Sequence, residues 1–291
     1  MSLNFQMSSS NANAKAKAKT VVVLLSDQGY WSKAQRTILD IRSVGQYWGD
    51  LYFIAIDFTP PRTWCDFYKV NVVTFPKIPT NDLIEKIKSH PFVGSDKREF
   101  KKTNQWEKLH LFDDFFSAWE RVLFFDAGLR ILDSLDYFLE LEWEGKFLCQ
   151  DDVGATGPDK RLGCQMELSN ESVIESLKEE FGDDCLQKRY FLNCCWIFDT
   201  SLLKVRGGLV SKEDLIEVMN KYPVCRTNEM GVMNLVLHVK YGLWEPFPYK
   251  ASNGKWLFDW CESNFYHINP STTWRDFVSI KYPATITFSM E

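Results

Sequence analysis

Thr20-Val21-Val22-Val23-Leu24-Leu25 is the stretch of sequence from which the fold is best read. Its continuous β-branched and apolar composition is typical of a strand that is buried on both faces of a sheet. Residues 26–30 have the composition of a turn, residues 32–44 have a helical pattern, and residues 51–57 form a second buried strand. Because two strands joined by a helix usually pair in parallel, this opening predicts an α/β fold.

The rest of the chain continues the alternation of strands and helices. Hydrophobic patterning predicts four further strands, the last of them antiparallel or mixed, over residues 70–75, 121–125, 146–150 and 193–198. The same test predicts helices over residues 79–88, 106–116, 166–181, 214–220 and 231–239, with loops and short strands after residue 243. We therefore expect a mixed, mostly parallel central sheet flanked by helices. Residues 1–19 are expected to form a flexible tail and residues 20–291 one domain.

Composition argues against several classes of protein. Hydrophobic residues make up 45% of the 291, too many for a disordered chain, and the formal charge of −5 argues against a nucleic-acid-binding surface. No apolar run approaches the roughly 18 residues of a membrane span. The eight cysteines include no Cys-x-x-Cys pair and the N-terminus has no secretory signal, so we expect reduced thiols and a cytoplasmic protein. The aromatic content of 15% suits both a packed core and stacking on sugars or bases.

Acidic and polar residues end three of the predicted strands. Ser26 and Asp27 follow the first strand, Asp126 follows the fourth, and Asp151 with Asp152 follows the fifth. Ligands of an open α/β sheet bind at the carboxyl ends of the strands, and carboxylates gathered there suit a divalent cation with a phosphate ligand. Each Asp taken singly has a plainer explanation, because Asp also favours the turn that ends a strand.

Three segments in the middle of the chain carry a recognisable order of motifs. Lys108-Leu109-His110-Leu111-Phe112-Asp113 is followed by Arg121-Val122-Leu123-Phe124-Phe125-Asp126-Ala127-Gly128 and then by residues 131–138. They resemble the core signature of GT-A glycosyltransferases, and most of all glycosyltransferase family 8, the glycogenin and galactinol synthase-like group. That family has a Lys-Leu-x-x-Phe helix, a hydrophobic strand ending in Asp-x-Asp, and a short Leu/Ile-Asp-x-Leu-Phe segment. The resemblance runs in order over most of residues 20–275 and implies the GT-A fold of nucleotide-diphospho-sugar transferases.

The resemblance implies a set of donor-binding residues: Ser26, Asp27, Tyr30, Lys108, Asp126, Ala127, Gly128, Asn193 and His267. In the family, the first strand and its turn hold uridine, where a tyrosine ring stacks on the base, and the lysine approaches sugar or phosphate oxygens. Asp151 and Glu229 fall at acidic positions beside the donor sugar and are the expected catalytic residues. Glu229 belongs to Asn228-Glu229-Met230-Gly231-Val232-Met233-Asn234, which resembles the family's Asp-Gln-x-x-Leu-Asn.

The metal motif departs from the family pattern. Gly128 replaces the second Asp of Asp-x-Asp, so Asp126 and His267 are the matched metal ligands. Two ligands hold a divalent cation poorly unless diphosphate and water complete its shell. Thr272-Thr273 also stands where a Lys would bind the diphosphate. The resemblance thus implies Mn²⁺ or Mg²⁺ as a cofactor, with a reduced set of protein ligands.

Several of these residues also have purely structural explanations. Asp126 would cap a turn, Lys108 would lie on a solvated helix face, and Glu229 would favour the positive end of a helix dipole. Tyr30 would pack in the core, and His267 would be an ordinary histidine in an aromatic-rich loop. Packing as well as an acceptor groove would explain the late tryptophans Trp244, Trp256, Trp260 and Trp274.

The expected activity is transfer of a sugar from a nucleotide-diphosphate donor, UDP-linked by the resemblance, to a hydroxyl of a carbohydrate or other acceptor. Retention of configuration is implied if the family's stereochemistry applies. Loss of the second Asp favours an alternative, a non-catalytic protein of the same fold that binds nucleotide sugars or carbohydrates. A nucleotidyltransferase is a third hypothesis, but residues 26–30 contain one glycine rather than a glycine-rich phosphate loop. Neither nucleic acid nor a membrane is an expected partner.

Overall fold

Seven strands of the described chain form one sheet in the computed structural model. They are β1 Thr20–Asp27, β2 Asp50–Ile56, β3 Asn71–Val73, β4 Arg121–Phe125, β5 Phe147–Asp151, β6 Phe191–Asp199 and β7 Trp244–Pro246. The structure describes residues 19–80, 82–85, 99–151, 161–166, 168, 170–222, 229–248, 250–255 and 257. The predictions made for residues 1–18, Asp152, Asn228 and residues 258–291, including His267, lie outside these ranges.

The order of the strands in the sheet is β3-β2-β1-β4-β6-β5-β7. β1 pairs in parallel with β2 and β4, β2 with β3, and β5 with β7, whereas β6 is antiparallel to β4 and β5. This arrangement confirms the predicted mixed, mostly parallel sheet. The carboxyl ends of β1, β4 and β5 and the amino end of β6 lie at one edge, which we call the carboxyl edge. The strand order runs outward in two directions from β1 and β4, so their boundary is a switch point of the kind at which open α/β sheets bind ligands.

Helical segments connect the strands. The α-helices are Trp31–Ser43, Arg62–Phe67, Asp136–Leu139, Glu171–Phe181, Lys212–Lys221 and Glu229–Met233, and residues 82–85 are also helical. A π-helix spans Asn234–Lys240, and 3₁₀ helix spans Gln28–Tyr30, Glu99–Phe112, Asp114–Ala118, Leu162–Gln165, Cys185–Gln187, Thr200–Leu202 and Lys204–Arg206. Each predicted helix overlaps one of these segments. None of the helices in the described ranges is long and apolar enough to cross a bilayer.

Two segments predicted to be α-helical have a different winding. Residues 106–112 and 114–116 are 3₁₀ helix, interrupted at Asp113, and residues 234–240 form a π-helix instead of continuing the α-helix before them. The 3₁₀ winding has about 3.0 residues per turn and the π winding is wider than the α-helix, but over a few turns the apolar spacing does not separate them from an α-helix. Lys108 lies on the 3₁₀ segment and Glu229 lies just before the π-helix. Such irregular winding is frequent at functional sites.

The predicted helix over residues 166–181 begins later than expected. In the structure it starts at Glu171, because the side chain of Asn170 accepts a hydrogen bond from the backbone N–H of Val173. An Asn in this position satisfies one of the free N–H groups at a helix start. The preceding residues, Leu162–Gln165, form a separate turn of 3₁₀ helix. The spacing of charged and apolar residues is the same before and after Asn170, so the sequence pattern predicted a helix that is five residues too long at its start.

Hydrophobic side chains cover both faces of the sheet. Along β4, Val122 and Phe124 pack on one face while Leu123 and Phe125 pack on the other. Successive side chains of a strand point to opposite faces, so a strand buried on both sides needs a continuous apolar run. Trp196 of β6 lies against β4, with its ring centroid 5.0 Å from that of Phe124. The apolar runs quoted from the sequence are therefore the centre of the core.

Much of the aromatic excess lies in this core. The buried aromatic residues include Phe53, Phe112, Phe116, Phe147, Phe191 and Tyr190. Trp244 packs beside β5, where its Nε1 donates a hydrogen bond of 3.0 Å to the backbone carbonyl of Cys149. Trp244 accordingly has a packing role, and the other three late tryptophans lie outside the described residues.

The described cysteines are free thiols, as the sequence predicts. Cys65, Cys149, Cys185, Cys194 and Cys195 are buried, and Cys164 is exposed. Burial raises the pKa of the Cys149 and Cys195 thiols well above the usual value. These two thiols are therefore protonated at neutral pH and behave as small hydrophobic groups.

Candidate functional site

A buried ammonium group lies at the carboxyl edge, between two carboxylates. Lys108 Nζ is 3.1 Å from Asp126 Oδ1 and 2.9 Å from Glu229 Oε1. It also donates a hydrogen bond of 3.3 Å to the backbone carbonyl of Asn193, and Asn193 Nδ2 donates to Glu229 Oε1 at 2.5 Å. We call these four residues the Lys108 cluster. The side chain of Lys108 is 1% exposed, so it does not lie on a solvated helix face.

Four separate elements bring the Lys108 cluster together. Its members come from the long 3₁₀ segment, the residue after β4, strand β6 and the helix Glu229–Met233. The backbone N–H of Asp126 donates to the carbonyl of Cys194 at 2.7 Å, which extends the β4–β6 pairing by one residue and fixes Asp126 beside Asn193. The cluster is therefore a product of the sheet order, since β4 and β6 are neighbours in space but not in sequence.

Asn234 holds the helix that carries Glu229 against β6. Its Oδ1 accepts a hydrogen bond from the N–H of Phe191 at 3.0 Å, and its Nδ2 donates to the carbonyl of Phe191 at 3.1 Å. The same Nδ2 donates to the carbonyl of Met230 at 2.9 Å. Asn193 is two residues from Phe191 along β6, so this clamp sets the separation between Asn193 and Glu229. The last Asn of the segment 228–234 thus has a structural task.

Burial and ion pairing set the protonation of the Lys108 cluster. Burial alone would lower the pKa of Lys108, but Asp126 and Glu229 together outweigh it, and the pKa of Lys108 is raised above its usual value. Burial raises the pKa of Glu229, although the Lys108 ammonium acts in the opposite direction. Lys108 is therefore a cation throughout the neutral range, and Glu229 takes up a proton more readily than an exposed glutamate does.

Two buried oxygen atoms of the predicted site residues have no hydrogen-bond partner within the described part of the chain. They are Glu229 Oε2 and Ser26 Oγ. A buried polar atom without a partner costs about 1–3 kcal/mol. A ligand that supplies a donor to Glu229 Oε2, such as a hydroxyl group, would remove that cost. Glu229 does not lie in a solvated first turn of its helix, because its side chain is only 2% exposed.

Asp27 and Tyr30 lie where β1 ends at the switch point. Asp27 Oδ1 accepts a hydrogen bond from the N–H of Tyr30 at 3.0 Å, and its Oδ2 accepts one from Asn104 Nδ2 at 2.9 Å. Asp27 thus caps the turn after β1 and ties it to the 3₁₀ segment that carries Lys108. Tyr30 is 40% exposed rather than packed in the core, and the Lys33 ammonium is 5.0 Å from its ring centroid. An exposed ring at this edge can stack on a base.

Asp151 lies at the end of β5 and is fixed by two neighbours. Gln150 Nε2 donates to Asp151 Oδ1 at 2.9 Å, and Arg189 forms an ion pair with Asp151 Oδ2. Asp151 is paired in register with Phe191, two residues from Asn193, which places it near the Lys108 cluster along the carboxyl edge. Both oxygens of Asp151 have protein partners, whereas Glu229 Oε2 has none among the described residues.

Sequence reasoning did not single out Lys33, Asn104 or Arg189. Each is a polar residue in a segment with an ordinary surface pattern, so neither periodicity nor motif marks it. Asn104 bonds to Asp27, Arg189 pairs with Asp151, and Lys33 lies beside Tyr30. The contacts of Asn104 and Arg189 join residues that are far apart along the chain, and only the folded arrangement reveals them.

Gly128 stands where the resembling family has its second acidic residue. Its φ is +101°, a conformation that L side chains rarely adopt, and a Cβ built there would lie 3.5 Å from Lys33 Cδ. Asp126, the other residue of the motif, already faces the Lys108 ammonium. Within the described ranges, no three His, Cys, Asp or Glu side chains are grouped to hold a metal ion. Of the two expected metal ligands, the described residues include Asp126 alone, and its carboxylate is ion-paired with Lys108.

Gly128→Ala is expected to lower the free energy of unfolding by about 1–3 kcal/mol, because a Cβ is strained at this positive φ. The backbone N–H of Gly128 also donates to Thr37 Oγ1 at 3.0 Å, so the loop cannot change conformation without losing a buried hydrogen bond. Urea unfolding followed by tryptophan fluorescence measures the change. A variant as stable as the wild type would mean that the loop accepts a negative φ at residue 128.

Comparison with known proteins identifies the fold. No protein-family model matches the sequence, and no curated protein matches it. The solved structure of the galactosyltransferase LgtC with donor and acceptor sugar analogues is similar over 78% of this chain and 72% of its own, with 12% identity and a TM-score of 0.50. The bifunctional glycosyltransferase WbbM is similar over 81% of this chain and 40% of its own, with 12% identity and a TM-score of 0.50. The glycosyltransferase GlyE of Streptococcus pneumoniae TIGR4 is similar over 79% of this chain and 45% of its own, with 12% identity and a TM-score of 0.47.

The similarity to LgtC and WbbM shows that this chain has the GT-A fold of glycosyltransferases. At 12% identity the likeness is one of fold, because a shared fold accommodates different sites. The chain spans less than half of the length of the WbbM and GlyE chains, at 40% and 45%. What the protein does is therefore argued from its own residues.

Proposed function

We propose that this protein is a glycosyltransferase that moves a sugar from a UDP-linked donor onto a hydroxyl group of an acceptor. The GT-A fold supports this proposal. The observation that carries it is Glu229 Oε2, which has no partner in the described part of the chain and is buried in the Lys108 cluster at the edge where such sheets bind ligands. A sugar is a ligand with many hydroxyl donors and suits that atom.

Transfer breaks the bond between the anomeric carbon and the diphosphate oxygen and forms a bond from that carbon to the acceptor oxygen. The diphosphate leaves with the bonding electron pair, and the acceptor hydroxyl gives up its proton to an oxygen of that leaving diphosphate. Positive charge develops on the sugar in the transition state, so a carboxylate fixed beside the anomeric carbon lowers the barrier. We assign this role to Glu229, with Oε2 as the atom that faces the sugar. Retention of configuration is the stereochemistry implied by the family resemblance.

Lys108 acts through its neighbours in this proposal and is a positioning residue. Its ammonium holds Asp126 and Glu229 in fixed places, and it compensates the charge of two buried carboxylates. Asp151 and Asn193 lie at the same edge. Asp151 accepts hydrogen bonds from the remaining sugar hydroxyls, and the amide of Asn193 can accept from them or donate to them. An ionised carboxylate has about four lone-pair positions, so Asp151 can accept a further hydrogen bond beside those from Gln150 and Arg189.

The end of β1 holds the nucleotide in this proposal. Tyr30 offers an exposed ring for stacking on uracil, and Ser26 Oγ is a buried hydroxyl without a partner among the described residues. A nucleoside placed there directs its diphosphate along the switch point toward Asp126. The base and the sugar of the donor then lie beside Ser26 Oγ and Glu229 Oε2, two of the buried polar atoms that lack partners among the described residues.

A second candidate is a protein of the same fold that binds nucleotide sugars without transferring them. The specific observation behind it is the incomplete metal motif, in which Asp126 is paired with Lys108 and Gly128 has no side chain. The two candidates bind the same donors, and turnover separates them.

Calorimetric titration with UDP-glucose, UDP-galactose, UDP-N-acetylglucosamine, UDP-xylose and GDP-mannose, with and without Mn²⁺, tests the proposal. We expect one UDP-sugar to bind with a Kd between about 1 µM and 1 mM, the usual range for enzyme substrates. In a hydrolysis assay that donor is expected to release UDP. Binding without hydrolysis or transfer would favour the non-catalytic candidate. Failure of every nucleotide sugar to bind would refute both candidates.

A further inference from the structure

The side chain of Lys33 lies against Gly128, at van der Waals distance from the point where the side chain of a second acidic residue would begin. A Cβ built on Gly128 would lie 3.5 Å from Cδ and 3.6 Å from Cβ of Lys33. Lys33 lies in the first turn of the helix Trp31–Ser43, which follows β1 and its turn. A cationic side chain therefore lies between Tyr30, in the turn after β1, and Gly128, where the metal motif is incomplete.

The arrangement of Lys33 and Gly128 is fixed by hydrogen bonds between the helix and the loop after β4. Thr37 Oγ1 accepts a hydrogen bond from the N–H of Gly128 at 3.0 Å and donates one to the carbonyl of Leu129 at 2.8 Å. Thr37 lies one turn after Lys33 on the same helix. The loop and the first turn of the helix consequently form one rigid unit.

The Lys33 ammonium makes no ion pair with a carboxylate of the described residues. Its Nζ lies over the ring of Tyr30, 5.0 Å from the ring centroid. Lys108, by contrast, faces two carboxylates and is buried. The charge of Lys33 is thus available to an anion, while the charge of Lys108 is already compensated.

The position of Lys33 corresponds to the middle of a nucleotide sugar. Tyr30 lies at the end assigned to the base, and the Lys108 cluster lies at the end assigned to the sugar. The diphosphate joins these two parts, and Lys33 contacts the ring of Tyr30 at one of them and lies against Gly128, two residues after Asp126. A lysine ammonium is a compact cation that binds phosphate oxygens well.

We propose that Lys33 binds the diphosphate of the donor directly and takes the place of a divalent cation, so that the donor binds without a metal ion. The inference rests on the proposed function, because it assumes a nucleotide-diphosphate donor. It departs from the Mn²⁺ or Mg²⁺ that the family resemblance implies. The reason is that Asp126 is ion-paired with Lys108 and that Gly128, which has no carboxylate, lies beside Lys33.

The test compares UDP with uridine, which lacks the diphosphate, by calorimetry of the full chain in EDTA and in MnCl₂. Wild-type protein is expected to bind UDP with the same Kd, within about twofold, in both buffers. Lys33→Met is expected to weaken UDP binding by about 10- to 100-fold, the range for a charge-assisted hydrogen bond. The same variant should leave the Kd for uridine unchanged.

Two further variants separate the charge of Lys33 from its other properties. Lys33→Arg keeps the charge and should restore most of the affinity for UDP. Lys69→Met is the matched control, because the Lys69 ammonium also lies over an aromatic ring, 5.7 Å from the centroid of Trp48, but near the opposite edge of the sheet. It should change neither UDP nor uridine binding.

The outcomes distinguish this inference from the proposed function. Mn²⁺ that tightens UDP binding more than about 10-fold (≈ 1.4 kcal/mol) would overturn the metal-free proposal while leaving a nucleotide site in place. An unchanged Kd for UDP in Lys33→Met would likewise overturn it. If neither UDP nor uridine binds in either buffer, the proposed function itself fails, and the role of Lys33 fails with it.

Discussion

Glu229→Gln is expected to lower kcat for sugar transfer by about 10²- to 10⁴-fold, the usual effect of losing a catalytic carboxylate. The amide oxygen can take the place of Oε1 and keep the hydrogen bonds from Lys108 and Asn193. The amide nitrogen then takes the place of Oε2, which has no partner among the described residues. The shape of the site is kept while the negative charge beside the anomeric carbon is lost. Initial rates of transfer or donor hydrolysis at saturating donor measure the effect.

The matched control is Glu217→Gln, the same chemical change at an exposed position of the helix Lys212–Lys221. It should leave kcat at the wild-type value. Donor affinity should change far less than kcat in Glu229→Gln, because the charge acts mainly in the transition state. A Glu229→Gln variant whose kcat stays within about threefold of the wild type would remove Glu229 from the reaction. The assignment based on its unpaired oxygen would then be wrong.

Lys108→Met is expected to lower the free energy of unfolding by about 3–5 kcal/mol, because it leaves Asp126 and Glu229 buried without a compensating cation. Methionine has nearly the length of lysine, so the loss reports the charge more than the packing. Urea unfolding at neutral pH measures it. Adding Glu229→Gln to Lys108→Met removes one of the two unpaired charges and should restore part of the stability. A loss below about 1 kcal/mol would show that the two carboxylates are not held by Lys108.

The deficit of Lys108→Met should also depend on pH in a defined direction. Burial already raises the pKa of Glu229 above its ordinary value of 4.5 in the wild type, and removal of the ammonium raises it further. A carboxyl group whose pKa is raised in the folded state binds more protons when folded, so its contribution falls as pH rises through that pKa. The deficit is therefore expected to be small near pH 4 and to grow above pH 4.5. A deficit that is constant with pH would contradict this explanation.

The central part of the fold is predictable from the sequence because its strands are buried on both faces. Each of the strands β1, β2 and β4 is a nearly continuous apolar run, and the polar residues on either side of such a run mark where the strand begins and ends. The edge strand β3 was predicted over residues 70–75 but spans Asn71–Val73. Edge strands are short and half solvated, so the pattern that marks them is weak. The 3₁₀ winding around Lys108 was not predictable, since the apolar spacing over residues 106–116 does not separate it from an α-helix.

The candidate site was only partly predictable. Asp126, Asp151 and Glu229 stand out because each ends a strand or belongs to a motif. The sequence did not say that Asp151 has both oxygens bonded while Glu229 has one oxygen unpaired. These facts depend on neighbours from other elements, such as Arg189 and Lys108. Pairing of that kind has no signature at any fixed spacing along the chain.

The sequence by itself determined the α/β class, the succession of the buried strands along the chain and the acidic residues that end them. Those features depend on patterns within a few residues, where periodicity and turn preferences act. Only the tertiary structure decided that Lys108 faces both Asp126 and Glu229, and that Lys33 passes beside Gly128. The physical reason lies in the packing of elements that are distant in sequence. β6 is inserted antiparallel between β4 and β5, and the helical segments that carry Lys108 and Glu229 pack at the carboxyl edge, so charges from distant parts of the chain meet there. Local sequence carries no information on which of those charges will be paired once they are buried.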